Sequence, residues 1–235
     1  MLRSYFGKLT LPIALPHLYG LSSAHLVEYC GFQLETETAI AFDKMRIAAA
    51  KDGIAIEICS AFRDFDRQQL IWNAKASGKR VLLDSDSKPV DVDKKSPEQI
   101  IALILLWSAL PGTSRHHWGT DIDVFDSNTI SKANLQLISQ EYASNGPCHQ
   151  LYSWLVQNAP QFGFYFPFQH GLSGVSAEPW HLSYYPVAKG FVDSFDTQSL
   201  RKILLNSSVL YKELLSNNLE SLAQEYVFRV APTPL

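Results

Sequence analysis

The sequence predicts an α+β domain: a small, mainly antiparallel sheet flanked by helices, with extra helices at the C-terminal end. Two observations lead there. Stretches of period-two alternation, "IAIEICSAF", "TDIDVF" and "HLSYY", alternate irregularly with stretches of helical spacing. The 235 residues are 46% hydrophobic and 18% charged, an ordinary composition for one globular chain long enough to bury a full core. No repeat and no low-complexity tract divides it.

The first 35 residues read as an N-terminal extension. They carry early positive charge, but Pro12 and Pro16 interrupt the apolar residues before any cleavage site. No signal peptide is therefore expected, and the chain is read as cytoplasmic, with periplasm or cell envelope as the alternative. A helix is predicted from Thr36 or Thr38, with Ala41, Phe42, Met45, Ala48 and Ala49 on one stripe and Asp52-Gly53 as its stop. Residues 54–62 change period and predict a strand with Ile54, Ile56 and Ile58 on one face.

A second helix is expected over residues 64–77 and a charged surface loop or hairpin over 78–95. "SPEQIIALILLWSALPG" is the clearest helix: Ser96 is its N-cap, Pro97 opens the first turn, Gln99 completes a capping box, and Pro111-Gly112 ends it. Its apolar run is well short of the roughly 20 residues that span a bilayer, so it reads as a buried helix and no membrane span is expected. In "TDIDVF" a half-buried strand places Ile122 and Val124 on one face and Asp121, Asp123 and Phe125 on the other.

Next come a helix over 150–158, an aromatic strand-like stretch over 163–168 that reads as core, and a strand in "EPWHLSYY". There Trp180, Leu182 and Tyr184 would share one face and His181, Ser183 and Tyr185 the other, with Pro179 tolerated at the entrance. The leucine-rich last 40 residues read as helical packing elements.

The balance of charge excludes some functions. A net charge of −3 with no basic stripe gives no footprint for a phosphate backbone, so nucleic acid is not an expected partner. Cys30, Cys59 and Cys148 are odd in number and widely spaced, which predicts buried thiols and neither a disulfide framework nor a cysteine zinc site.

The chemistry concentrates in "SRHHWGTDIDVF", residues 114–125. On a helix His116 and Asp123 would sit roughly 10.5 Å apart along the axis, too far to share one zinc at ligand distances of about 2 Å. With Gly119 allowing a turn, a histidine on the turn can meet an aspartate on the strand. A catalytic zinc site needs a third protein ligand and an open position for water; His181 is the best third, with Glu178 just before it as a candidate general base. Taken singly, each of these residues is more often hydrogen-bonded or solvated than metal-bound, and alternation alone does not choose between His116 and His117.

Three ordered motifs carry a resemblance. "SRHHWGTDID" matches a Ser-x-His-x6-Asp signature, "EPWH" a Glu-x-Trp-His signature, and "SAFRDFDRQ" resembles a Ser-Gly-Tyr-Arg-Ser segment. Together they resemble the zinc D-alanyl-D-alanine carboxypeptidase family, VanY-like metallopeptidases of the fold group shared by lysostaphin-type peptidases and hedgehog domains. The likeness covers residues 36–187, which would form the peptidase core, and leaves 188–235 as a C-terminal helical extension expected to shape the cleft or a subunit contact.

The resemblance implies one zinc ion held by His116, Asp123 and His181, with Glu178 as base and Arg63 polarising the substrate carbonyl. It makes Ser114 a residue that orders the ligand loop or touches substrate, Trp180 a support for the ligand strand, and His117 a rim or substrate contact. Two departures stand out. Ala61-Phe62 replaces Gly-Tyr, and Asp121 stands where a small apolar residue is usual, a carboxylate that would support a ligand histidine, accept a substrate amine or face solvent.

The implied reaction is release of terminal D-alanine from peptidoglycan stem peptides. L,D-carboxypeptidase and endopeptidase activities on peptidoglycan stay open within the same chemistry, and a non-catalytic zinc-containing binding module is the reading from another class. The oligomeric state is left open.

Overall fold

The computed structural model describes residues 13–85 and 88–234; most of the stretch read against a signal peptide, residues 1–12, lies outside them. After a 3-10 turn (Pro16–Tyr19), strands β1 (Leu26–Tyr29) and β2 (Phe32–Glu35) form an antiparallel hairpin that runs straight into helix α1 (Thr36–Lys51). The cap of α1 is Glu35 and not a threonine: its carboxylate accepts from the backbone N–H of Glu37 and Thr38, satisfying donors that the first turn leaves free. Strand β3 (Ile56–Ser60) leads to helix α2 (Phe65–Ala76), capped by Asp64.

A short hairpin follows, β4 (Leu82–Leu83) with β5 (Pro89–Val90), then helix α3 (Pro97–Leu105) with the expected Ser96/Gln99 capping box. Helix α3 stops at Leu105, short of Pro111-Gly112, where the Trp107 N–H closes a tight turn on the Ile104 carbonyl and its indole donates to the Asp84 carbonyl. Strand β6 (Asp121–Asp126), helices α4 (Ser139–Tyr142) and α5 (His149–Asn158), and strands β7 (Phe164–Tyr165) and β8 (His181–Tyr184) complete the central unit.

The aromatic stretch yields only two strand residues, because Gly163 turns left-handed before them and Pro167 offers no ladder donor after them. Helices α6 (Tyr185–Asp193), α7 (Thr197–Leu205), α8 (Lys212–Asn217) and α9 (Leu219–Ala223) follow, and α9 continues into a π-helical turn, Gln224–Phe228.

The central sheet has the order β3-β6-β8-β7 and is antiparallel throughout, as the α+β reading expects. One face packs Ile56, Ile58, Ile122, Val124 and Leu182 against Phe42 and Met45 of α1 and Leu151 and Leu155 of α5. The opposite face carries Asp121, Asp123, His181 and Ser183. It is not the solvated face that alternation predicted: every residue of β6 is buried.

A second apolar cluster gathers Phe65 and Trp72 of α2, Ile101 and Ile104 of α3, Trp118, and Leu200, Leu204 and Leu215 of the C-terminal helices. Among the described residues no helix is long and apolar enough to cross a membrane. The cysteines are all free thiols, but only Cys148 is fully buried; Cys30 is exposed in the β1–β2 turn.

Candidate active site

Sheet register brings the site together. In the antiparallel pairing of β6 with β8, Asp123 stands directly opposite His181 and Asp121 opposite Ser183, so side chains 58 and 62 residues apart in sequence become cross-strand neighbours. On the other edge of β6, a bulge in β3 sets Ser60 opposite Asp123. His116 arrives on a 3-10 turn, Arg115–Trp118, that ends at Gly119 with φ of 71°. A Cβ there would meet Leu26 Cδ2 at 2.4 Å and the Glu35 backbone N at 2.9 Å, so this position needs glycine for its conformation and for its close neighbours alike.

One potential ligand atom from each of His116, Asp123 and His181 lies within 4.8 Å of the others, and all three residues are buried. His116 Nε2 is 3.4 Å from Asp123 Oδ2, and His181 Nδ1 is 3.1 Å from Asp123 Oδ1. Ligands about 2.0–2.2 Å from a tetrahedral zinc are separated by roughly 3.3 Å, so the set of two nitrogens and one carboxylate has the spacing and chemistry of a three-ligand catalytic zinc site. Burial opposes ionisation of Asp123, yet the two imidazoles hold it well below the ordinary carboxylate range.

The histidine beside His116 has another role. His117 is fully buried and faces away from this cluster: its Nδ1–H donates to the Arg63 carbonyl at 2.5 Å and its Nε2 accepts from the Gly112 N–H. Burial lowers it to about 3, so it stays neutral and serves as a brace between the Arg63 segment and the ligand turn. The expectation of a rim or substrate contact is corrected accordingly.

For Asp121 the structure agrees with the place beside a ligand and overturns the solvent-facing alternative. It is not exposed but wholly buried, and its oxygens accept from Arg115 Nε at 2.7 Å, Thr120 Oγ1 at 2.7 Å, Ser183 Oγ at 3.1 Å and His181 Nε2 at 3.0 Å. Burial alone would raise its pKa, but Arg115 first and His181 next keep it ionised. A buried carboxylate with a full set of donors thus grips the far side of the His181 ring, an arrangement that fixes which nitrogen faces a metal.

Glu178 sits in the turn before β8. Its Oε2 is 3.5 Å from His181 Nδ1, and its carbonyl accepts from the His181 N–H. Burial raises it to about 7, against the opposing pull of His181, Arg63 and Lys75. Pro179 and Trp180 belong to this turn and not to the strand, so Trp180 does not share the face of Leu182. It packs with Phe125, Tyr142 and Cys148, and its carbonyl accepts from the Val124 N–H at 3.0 Å, tying the turn to β6.

Arg63 follows β3. Its Nη1 donates to Gln68 Oε1 at 2.8 Å and its Nη2 to Ser60 Oγ at 3.2 Å, which aims the guanidinium into the cleft. Ser114 is the N-cap residue of the ligand turn, but its hydroxyl makes no capping bond and lines the cleft.

His116, Asp123, His181, Glu178, Arg63, Ser114 and Trp180 all line one cavity of about 380 Å³, whereas His117 and Asp121 lie behind its wall. Motif reading had passed over several other wall residues. Phe168 sets its ring, tilted by 48°, with its centroid 4.7 Å from that of His181, Lys75 and Arg80 bring positive charge, and Tyr226 comes from the C-terminal extension. The extension is thus more than packing: Ala231 N–H donates to the Pro167 carbonyl and Arg229 Nη2 to the Gly171 carbonyl, holding the loop that leads to Glu178.

The pattern of the VanY family, described as D-alanyl-D-alanine carboxypeptidase, matches residues 31–187. The chain belongs to this family. It is a VanY-family peptidase, and two solved structures are similar to it in fold. One is the vancomycin-resistance D,D-pentapeptidase VanY in complex with Zn(II), with a TM-score of 0.50 at 23% identity over 70% of this chain and 82% of that one. The other is VanYB in complex with D-alanine-D-alanine, with a TM-score of 0.52 at 22% identity over 78% and 88%.

Among sequence relatives, an uncharacterized Haemophilus influenzae protein is 35% identical over 50% of this chain and 92% of its own length. An Enterococcus faecalis D-alanyl-D-alanine carboxypeptidase is 30% identical over 58% of this VanY-family chain, which spans 42% of that relative.

Proposed function

We propose that this VanY-family peptidase is a zinc-dependent carboxypeptidase that releases terminal D-alanine from peptidoglycan stem peptides. The observation that carries the reading is the meeting, in one cavity, of the His116–Asp123–His181 cluster with a buried glutamate and a braced arginine. A binding module has no chemical need for the last two. The family membership and the Zn(II) and D-alanine-D-alanine complexes of similar folds support the metal and the substrate class.

His116, Asp123 and His181 would hold the ion. When bound, zinc supplies Lewis acidity and lowers the pKa of a water in its open position towards 7. Glu178, raised to about 7 by burial, is poised near neutrality to take a proton from the attacking water. As the carbonyl carbon gains the water oxygen and the C–N bond breaks, the same carboxyl hands that proton to the departing amine nitrogen. Arg63 places a fixed positive charge where the carbonyl oxygen becomes negative, at no cost of reorganisation because Gln68 and Ser60 already hold it.

The test is incubation with defined tri-, tetra- and pentapeptide muropeptides, with and without a chelator, read by mass spectrometry. Loss of one alanine from the pentapeptide, abolished by chelator, is the expected result. Cleavage inside the stem would make the chain an endopeptidase, loss of alanine from the tetrapeptide alone an L,D-carboxypeptidase, and a chelator-insensitive product would remove the metal from the reaction.

A further inference from the structure

One wall of the catalytic cavity carries positive charge that the proposed reaction does not use. Gln68, Ile71 and Lys75 lie three and seven residues along α2, hence on one face of the helix. Gln68 holds Arg63, and Ile71 and Lys75 line the cavity. Lys75 is half-buried and its ammonium donates to Ser108 Oγ at 2.6 Å, a neutral partner; among the described residues no carboxylate forms an ion pair with it.

Arg80 adds a second cation to the same wall, also without an ion pair among the described residues. The cavity's two carboxylates, Asp123 and Glu178, are committed to the histidine cluster and to proton transfer. Arg115 is already neutralised by Asp121. Burial first, then Arg80 and Arg63, outweigh the pull of the Glu178 carboxylate and lower Lys75 to about 8.

The direction of the side chain matters as well. Helical side chains lean towards the N-terminus of their helix, and the N-terminus of α2 is the end next to Arg63. Lys75 shares the cavity with Arg63, His116 and Glu178 and interacts electrostatically with Glu178 and Arg63, which puts its ammonium within reach of a group one residue beyond the scissile bond. Apolar Ile71, Leu83 and Trp107 line the same cavity, a lining that suits a small side chain.

We propose that Lys75, held in place by Ser108, binds the terminal carboxylate of the substrate and so commits the cleft to removing a chain-terminal residue. This rests on the peptidase reading above and deepens it, since it assigns the feature that separates a carboxypeptidase from an endopeptidase.

The test measures binding, so that hydrolysis is not needed. Zinc-loaded Glu178→Gln protein is titrated by calorimetry with N-acetyl-D-alanyl-D-alanine and with its C-terminal amide. The acid should bind roughly 10- to 100-fold more tightly than the amide, the range of one hydrogen-bonded charge. Adding Lys75→Ala should remove most of that preference while the amide binds within twofold of before, and Lys75→Arg should retain part of it.

Acid and amide binding alike, Lys75→Ala weakening both equally, or neither ligand binding would each overturn the proposal. Absence of hydrolysis by the unaltered protein, with the acid preference intact, would instead overturn the peptidase reading alone.

Discussion

Asp121 and His181 are joined by a 3.0 Å hydrogen bond from ring Nε2 to Oδ1, while the opposite nitrogen of the same ring, Nδ1, lies 3.1 Å from Asp123. One imidazole is thus clamped between two carboxylates that the alternation of β6 places two residues apart. The outer carboxylate is itself anchored by Arg115, and Arg115 also donates to Ser183 Oγ at 2.6 Å. Such an outer partner fixes the tautomer and the plane of a ligating ring and raises its basicity.

Asp121→Asn should therefore weaken zinc binding by roughly 10- to 100-fold, as loss of an outer carboxylate does elsewhere. Competition with a chromophoric chelator measures it, and an unchanged affinity would show that Asp121 does not orient the ligand. Asp121→Ala should cost folding as well, about 3–5 kcal/mol, because it leaves Arg115 buried without a counter-charge.

Glu178→Ala should retain zinc and lose turnover by roughly 100- to 10,000-fold, the contribution of a positioned general base. His181→Ala should lose both zinc and turnover. Metal analysis of the purified variants beside their rates separates the two roles, and undiminished turnover in Glu178→Ala would remove the glutamate from the mechanism.

Gly119→Ala should destabilise the protein through backbone conformation and crowding. The left-handed backbone alone costs about 1–2 kcal/mol for a residue with a Cβ, and the new methyl would press on Leu26 and the Glu35 backbone. A melting temperature lower by several degrees is expected, together with weaker zinc binding because His116 sits on the same turn. A variant as stable as the parent would contradict the packing described for that turn.

The acid-over-amide preference should depend on pH with a definite sign. Lys75 is cationic below its value of about 8 and neutral above it. Arg80 and Arg63 beside it do not titrate in this range, and the Glu178→Gln background removes the one carboxylate that acts on it. The preference should be full at pH 7 and fall as pH rises through about 8, measured as the ratio of acid to amide binding in the Glu178→Gln background. A ratio flat to pH 10 would exclude Lys75 as its source.

Much of this arrangement was legible in the sequence, and the exceptions have physical reasons. Ser96, Gln99, Asp64 and the alternation of β6 set local structure through contacts a few residues apart, so the starts of α2 and α3 and the strand read correctly, whereas the cap of α1 did not. Nor did the burial of Asp121, because alternation assigns two faces but cannot say that both are covered, and its partner Arg115 lies across the Gly119 turn. His117 was misplaced for a similar reason: its bond to the Arg63 carbonyl spans 54 residues.

Trp180 was assigned to a strand face because Pro179 was read as the strand's entrance, whereas the bond from His181 N–H to the Glu178 carbonyl makes a turn there. Lys75 and Tyr226 carry no motif at all. Their place in the cleft follows only once α2 and the C-terminal turn are packed around Arg63 and the loop before Glu178.

The central claim is that hydrolysis depends on one zinc ion held by His116, Asp123 and His181. It is tested most directly by stripping the protein with chelator and titrating zinc back while following release of D-alanine from a D-alanyl-D-alanine-terminated pentapeptide. Activity absent at the start, rising in proportion to added zinc and levelling off at one equivalent, is the predicted result. Full activity in the stripped protein, or no recovery on adding zinc, would contradict it.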